Sequence, residues 1–120
     1  MKPLDPVLIY GFGSFFSGQP RPDSDVDIAY LSRRDVPSLE NFRLSQELGT
    51  LFSRDVDLIP LKTADAVFRA RVLETGRLLY CADERERAEF EMYALSDYAR
   101  LNEERREILQ RVKEDRTIYG

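Results

Sequence analysis

Asp25 and Asp27 are the residues of this sequence whose type and spacing most clearly suggest chemistry, and they open the apolar run VDIAYL. Side chains two apart on a strand point to the same face, so the two carboxylates are predicted to lie side by side. Adjacent unpaired carboxylates repel each other, and a divalent cation neutralises them. A carboxylate cluster without nitrogen or sulfur ligands suits Mg²⁺ that is held together with substrate phosphates.

Gly13 and Ser14 lie ten residues upstream of that pair, directly after the apolar run VLIYGF. Glycine allows a tight turn and a close approach of the backbone to a phosphate. Ser14 adds a hydroxyl, and neighbouring N–H groups can form an anion-binding concavity. A third carboxylate on a neighbouring strand would complete a two-metal site. Asp57 in VDLIPL is the candidate, while Asp55 could face the same way but lies nearer a turn.

A P-loop is excluded, although Gly13 and Gly18 have the spacing of its glycines. A P-loop continues with Lys and then Ser or Thr, which contact phosphate and metal. Here Gln19 and Pro20 occupy those two positions.

An EF-hand is excluded as well. Asp23, Asp25 and Asp27 match calcium-loop positions 1, 3 and 5. The glycine required at position 6 is Ile28, and the glutamate required at position 12 is the cation Arg34.

Composition narrows the possible chemistry further. The net charge of −4 disfavours general binding to nucleic acid through a basic surface. The length of 120 residues is typical of a single domain with a modest core. There is no His, and Cys81 is the single cysteine, so catalytic triads, His–metal sites and disulfide frameworks are excluded. The N-terminus has no signal-peptide pattern, and no apolar run approaches the length that crosses a membrane. We therefore expect a cytoplasmic protein with no membrane contact.

The hydrophobic pattern predicts strands alternating with helices before a long helix. Strands are expected at residues 7–12, 26–31, 56–61 and 77–81, with Pro60 at an edge or a strand end. Helices are expected at residues 39–53, capped by Ser38, and from Thr63 to Thr75, stopped by Gly76. The first helix should bury an apolar side made of Leu39, Phe42, Leu48, Leu51 and Phe52.

Residues 83–120 differ in character from residues 1–82, the predicted core. Asp83 and Glu86 resemble a capping pair, and no Gly or Pro follows until the last residue. Apolar residues recur at spacings of three and four except for a gap at Arg105, which predicts one amphipathic helix of about 30 residues, or two helices with a slight break. We expect its first half to pack on the sheet. A helix of this length extends beyond so small a core, so we expect its second half to contact a partner.

The pattern Gly13-Ser14, ten residues, Asp25-x-Asp27 resembles the signature of the DNA polymerase β-like nucleotidyltransferase superfamily. The small size, the strand with Asp57 and the segment ETGRLLY at 74–80 are similar to those of its minimal members, the MntA-type antitoxins. The resemblance covers most of the chain. It implies an α/β (α+β) fold, in which helices pack on a mixed β-sheet and a long C-terminal helix follows.

The resemblance also implies an activity. Asp25 and Asp27 would bind two Mg²⁺ ions, and Asp57 would complete the metal site and help to deprotonate the acceptor. Gly13 and Ser14 would hold the triphosphate of ATP. An acceptor hydroxyl would attack the α-phosphate and release pyrophosphate. In MntA-type systems the acceptor is a tyrosine of a HepT-type toxin, a ribonuclease of the HEPN group, with which the antitoxin would form a hetero-oligomer.

Two departures from the family pattern stand out. The family commonly has Ala-Arg-Gly after Gly-Ser-x, but Phe16 and Ser17 precede Gly18 here. Gly18 is retained for the nucleotide, and Arg21 could replace the missing phosphate contact. Family members also often carry a helix before the first strand, and only six residues precede Val7 here.

Two other functions stay open at this point. The protein could neutralise a toxin by binding alone, with a vestigial site, through its long charged helix. It could also transfer a nucleotide to a small molecule such as an aminoglycoside, although such enzymes generally add a second helical domain. DNA or RNA as the acceptor is disfavoured by the acidic charge balance.

Overall fold

The computed structural model of the protein describes residues 5–13 and 25–119, with side chains as far as residue 114. Strands and helices follow each other much as the hydrophobic pattern predicts. In chain order they are β1 (Pro6–Phe12), β2 (Val26–Ser32), α1 (Ser38–Phe52), β3 (Val56–Pro60), α2 (Ala66–Thr75), β4 (Arg77–Cys81) and α3 (Glu84–Tyr119).

The four strands form one mixed sheet in the order β3-β2-β1-β4. Strand β1 runs antiparallel to both β2 and β4, whereas β2 and β3 are parallel. The predicted mixed sheet is therefore confirmed. Pro60 ends β3, which is an edge strand, as expected of a residue that has no N–H to donate to a ladder.

Each face of the sheet buries its own apolar cluster. Helix α1 covers the face that carries Val26, Ile28 and Tyr30 of β2, against which its Leu44 and Leu48 pack. Helices α2 and α3 cover the opposite face, where the buried cluster includes Val7, Leu8, Tyr10, Ala29, Leu61 and Val72. The sheet thus lies between helices and is fixed from both sides.

The apolar side predicted for α1 is wrong in most of its members. Leu48 packs on the core, but Leu39, Phe42 and Leu51 are 62%, 59% and 79% exposed, and Phe52 is exposed as well. The side of the helix that faces the sheet includes Leu44, Leu48 and two polar residues, Asn41 and Ser45. Ser38 is also not a cap, because it is the first helical residue and Pro37 occupies the cap position without a side-chain bond.

The cap predicted for α2 is wrong by two residues. Asp65, not Thr63, precedes the helix, and its carboxylate accepts a hydrogen bond of 2.8 Å from the N–H of Phe68. The other end is as predicted, since the helix ends at Thr75 and the Gly76 N–H donates to the carbonyl of Val72.

Replacing Asp65 by Ala should lower the free energy of unfolding by about 1 kcal/mol, because the first turn of α2 loses its capping acceptor. Urea denaturation followed by circular dichroism measures this directly. Thr63→Ala is the matched control, and we expect it to leave the unfolding midpoint unchanged. An equal loss in both variants would contradict the assignment of Asp65 as the cap.

Helix α3 is a single helix of 36 residues, which is the first of the two predicted alternatives. Asp83 caps it by accepting from the N–H groups of Arg85 at 2.8 Å and Glu86 at 3.3 Å. Its first half packs on α2 and β1 through half-buried Phe90 and buried Ala94, and Glu91 accepts a 2.9 Å hydrogen bond from the Tyr10 hydroxyl. Further along, its side chains are exposed from residue 102 to residue 114.

None of the helices in the described part of the chain is both long and apolar enough to cross a membrane.

Candidate active site

Asp27 and Asp57 meet at one end of the sheet. Each is the second residue of its strand, and the parallel pairing of β2 with β3 places Asp27 directly opposite Asp57. Residues in register on neighbouring strands point to the same face. The structure therefore brings together two of the three carboxylates singled out in the sequence, on the face that α2 and α3 cover further along the strands.

Gly13 lies against the Asp27 carboxylate. Strand β1 ends at Phe12, opposite Asp27, and the next residue turns with a φ of 79°. A Cβ at this position would lie 2.3 Å from Asp27 Oδ2, so any side chain here would force the Asp27 carboxylate to shift. Position 13 therefore favours glycine for two reasons, its left-handed backbone and the space that the carboxylate occupies.

Negative charge accumulates at Asp27. Its pKa is raised, first by partial burial, then by the charge of Asp57 and a hydrogen bond with that carboxyl, and then by the charge of Asp25. All four causes disfavour the ionised form. A bound cation would favour the ionised carboxylate and lower its pKa, so the arrangement fits a divalent metal ion.

Asp25 is exposed and immediately precedes β2. Next to it, the Val26 N–H donates to the Asp55 carbonyl at 2.9 Å and joins the starts of β2 and β3. The Asp55 side chain is not among the causes of the Asp27 shift. Asp25 thus acts on Asp27 through its charge, whereas Asp55 contacts β2 through its backbone.

The acidic residues do not form a complete metal cage by themselves. Within residues 5–13 and 25–119, no three Asp, Glu, His or Cys side chains are grouped so that they could hold a metal ion. Mg²⁺ that binds with a nucleotide takes several ligands from phosphates and water, and one or two carboxylates suffice on the protein. The donor set is compatible with such an ion. Three predicted nucleotide contacts, Ser14, Gly18 and Arg21, lie outside the described residues.

The family model for polymerase beta-type nucleotidyltransferases matches residues 2–85, which include both strands that carry the aspartates. The chain belongs to this nucleotidyltransferase family. The resemblance drawn from Gly13, Ser14, Asp25 and Asp27 is thereby confirmed at the level of the family.

Within this nucleotidyltransferase family, the protein is similar to MntA-related proteins. It is 32% identical over 105 residues to the protein adenylyltransferase MntA of Shewanella oneidensis, covering 88% of this chain and 75% of MntA. A crystal structure of a toxin–antitoxin with AMP-PNP matches with a TM-score of 0.79 and 31% identity, over 91% of this chain and 87% of that one. A structure of the tri-AMPylated Shewanella oneidensis HEPN toxin in complex with MNT antitoxin matches with a TM-score of 0.74 and 30% identity, over 91% and 84%.

Two residues of this nucleotidyltransferase that bear on the site escaped the sequence analysis. The Tyr30 hydroxyl donates to Asn41 Oδ1 at 2.7 Å, and Asn41 Nδ2 donates to the Leu58 carbonyl at 2.8 Å, one residue beyond Asp57. No sequence signal distinguishes this Asn from a solvated polar residue of an amphipathic helix, because its partners come from two other elements.

Proposed function

We propose that the protein is a Mg²⁺-dependent adenylyltransferase that transfers AMP from ATP to a tyrosine of a cognate HepT-type HEPN toxin and thereby silences that toxin. The observation that carries this proposal is the register pair Asp27 and Asp57 with Gly13 packed against it. This pair lies in a nucleotidyltransferase chain that is 32% identical to the protein adenylyltransferase MntA.

Each site residue then has a role. Asp25, Asp27 and Asp57 would hold Mg²⁺ together with the phosphates of ATP, with two ions expected, and the metal would supply charge neutralisation at the α-phosphate and the leaving pyrophosphate. Gly13 keeps the backbone close to the triphosphate, and Ser14, Gly18 and Arg21 are proposed to contact it. Asp57 is exposed at the start of an edge strand and can face an incoming acceptor.

The reaction is an in-line displacement. The tyrosine oxygen attacks the α-phosphorus of ATP, an O–P bond forms, the bond to the β-phosphate oxygen breaks and pyrophosphate leaves. The phenolic proton passes to the Asp57 carboxylate. Because the acceptor belongs to a separate protein, the site has to be open, and both Asp25 and Asp57 are exposed.

We also propose that residues 83–120 bind the toxin. Beyond the part of α3 that packs on the core, Ile108, Leu109 and Val112 are 58%, 66% and 43% exposed. Apolar side chains grouped on an otherwise charged helix are typical of a surface that a partner covers. A second helical domain for a small-molecule acceptor is not found in the described chain after β4, where α3 is the single element.

Incubation of the purified protein with ATP, Mg²⁺ and the HepT-type toxin should add one or more AMP groups to the toxin, seen by intact-protein mass spectrometry. Omission of Mg²⁺, or replacement of ATP by an analogue with a non-cleavable α–β bond, is expected to prevent the mass increase. Tyrosine variants of the toxin then locate the acceptor. Neutralisation of the toxin without any mass increase would instead establish the binding-only function.

A further inference from the structure

Asn41 of α1 connects three elements through one side chain. Its Nδ2 donates to the carbonyl of Leu58 in β3 at 2.8 Å, and its Oδ1 accepts from the hydroxyl of Tyr30 in β2 at 2.7 Å. Both bonds are short enough for strong hydrogen bonding. The side chain therefore ties the helix to the two strands that carry Asp27 and Asp57.

Strand β3 depends on such ties because it is short and lies at the edge of the sheet. It has five residues and a single neighbouring strand, β2. Asp57 is the second residue of this strand. If the first ladder hydrogen bonds of β3 open, its carboxylate is therefore displaced before the later residues of the strand. The Leu58 carbonyl belongs to the residue after Asp57, and the bond from Asn41 holds the strand at that point.

Tyr30 sets the orientation of the Asn41 amide. Its side chain is fully buried, at 0% exposure, and burial raises the pKa of its hydroxyl, which stays protonated and donates. With Oδ1 occupied by this donor, the amide nitrogen of Asn41 points to Leu58. Tyr30 of β2, the strand of Asp27, thus orients the Asn41 amide that binds β3, the strand of Asp57.

We propose that Asn41 is a positioning residue for Asp57, which keeps this carboxylate in register with Asp27 for nucleotide transfer. The proposal rests on the proposed function and adds a residue outside the metal and nucleotide contacts. Small displacements of a catalytic group have large kinetic effects, and a shift of about 1 Å can cost up to 10²-fold in rate.

The first test compares Asn41→Ala with Ser45→Ala. Ser45 lies on the same buried side of α1, but its hydroxyl donates within the helix, to the Phe42 carbonyl at 2.7 Å. We expect Asn41→Ala to lower kcat for AMP transfer about 10-fold with little change in the KM for ATP. Ser45→Ala should retain the kcat of the wild type.

A second readout does not depend on activity. Hydrogen–deuterium exchange of the ligand-free protein should show faster exchange in a peptide covering residues 55–60 of Asn41→Ala, and unchanged exchange in residues 77–81. Asn41→Asp keeps the acceptor for Tyr30 but places a carboxylate against the Leu58 carbonyl. Its kcat should therefore fall as much as that of Asn41→Ala. Tyr30→Phe retains the donor to Leu58 and should lose less kcat than either.

Equal kcat losses in Asn41→Ala and Ser45→Ala, or unchanged exchange in residues 55–60 of Asn41→Ala, would overturn the positioning role. Absence of AMP transfer by the wild-type protein would refute the proposed function instead. In that case the exchange experiment still decides whether Asn41 holds β3.

Discussion

Asp27→Asn should slow AMP transfer severely and at the same time make the protein more stable at neutral pH. The rate should fall by roughly 10³-fold, the scale of losing a central electrostatic group in an active site. The melting temperature should rise by a few degrees, because the ionised carboxylate is partly buried beside Asp57 and Asp25. Calorimetry and the transfer assay on the same samples measure both effects.

The sign follows from the raised pKa of Asp27. The folded protein binds this proton more tightly than the unfolded chain, whose Asp has the ordinary pKa of 3.8. The carboxylate therefore weakens the fold above its folded pKa and has no such effect below 3.8. The stability difference between Asp27→Asn and wild type should shrink as the pH is lowered towards that value.

Asp55→Asn is the matched control for charge and position. Asp55 is exposed just before β3, and its side chain does not contribute to the raised pKa of Asp27. This variant should transfer AMP at nearly the rate of the wild type. If Asp27→Asn transferred AMP at the rate of the wild type, or melted at a lower temperature than the wild type at neutral pH, the role that we assign to the carboxylate pair would be contradicted. Toxin rescue by Asp27→Asn without transfer would support neutralisation by binding.

Local patterns were enough to place the carboxylates of the candidate site at the starts of two strands. Asp25 and Asp27 follow from a two-residue spacing at the start of a strand, and Asp57 from an acidic residue at the start of another. These features depend only on neighbours in the chain. The end of α2 at Gly76 is also a local feature, since a residue without a Cβ and the end of the apolar pattern coincide there.

Features that depend on the packing of separate elements could be predicted only in part. Asp57 is expected on a strand next to that of Asp27, but its place directly opposite Asp27 depends on the parallel crossover from β2 through α1 to β3. The buried side of α1 was misjudged because Asn41 and Ser45 lie among its inward positions, so hydrophobicity alone favoured the wrong face. The α2 cap was misplaced because Thr63 and Asp65 are both good caps, and only the hydrogen bond distinguishes them.

Gly13→Ala is the second variant with a large expected effect. The added Cβ would lie 2.3 Å from Asp27 Oδ2, and the φ of 79° disfavours any side chain. We expect the transfer rate to fall about 10²-fold, because the carboxylate has to move away from its place opposite Asp57. The free energy of unfolding should fall by about 1–3 kcal/mol. Gly49→Ala in α1 is the control for the rate, since its φ is not positive and its added Cβ would meet the Arg54 carbonyl, at 3.0 Å, rather than Asp27; we expect transfer at nearly the rate of the wild type.

A double-mutant cycle separates the two causes of the Gly13→Ala loss. Asp27→Ala removes the carboxylate that the new Cβ would meet but leaves the backbone at position 13 unchanged. In that background, Gly13→Ala should cost only the left-handed backbone term, about 1–2 kcal/mol. Relief on the order of 1 kcal/mol relative to the single variant would measure the contact between Gly13 and Asp27. Strict additivity in denaturation experiments would show that the glycine serves the turn alone, and that its position against the Asp27 carboxylate has no energetic consequence.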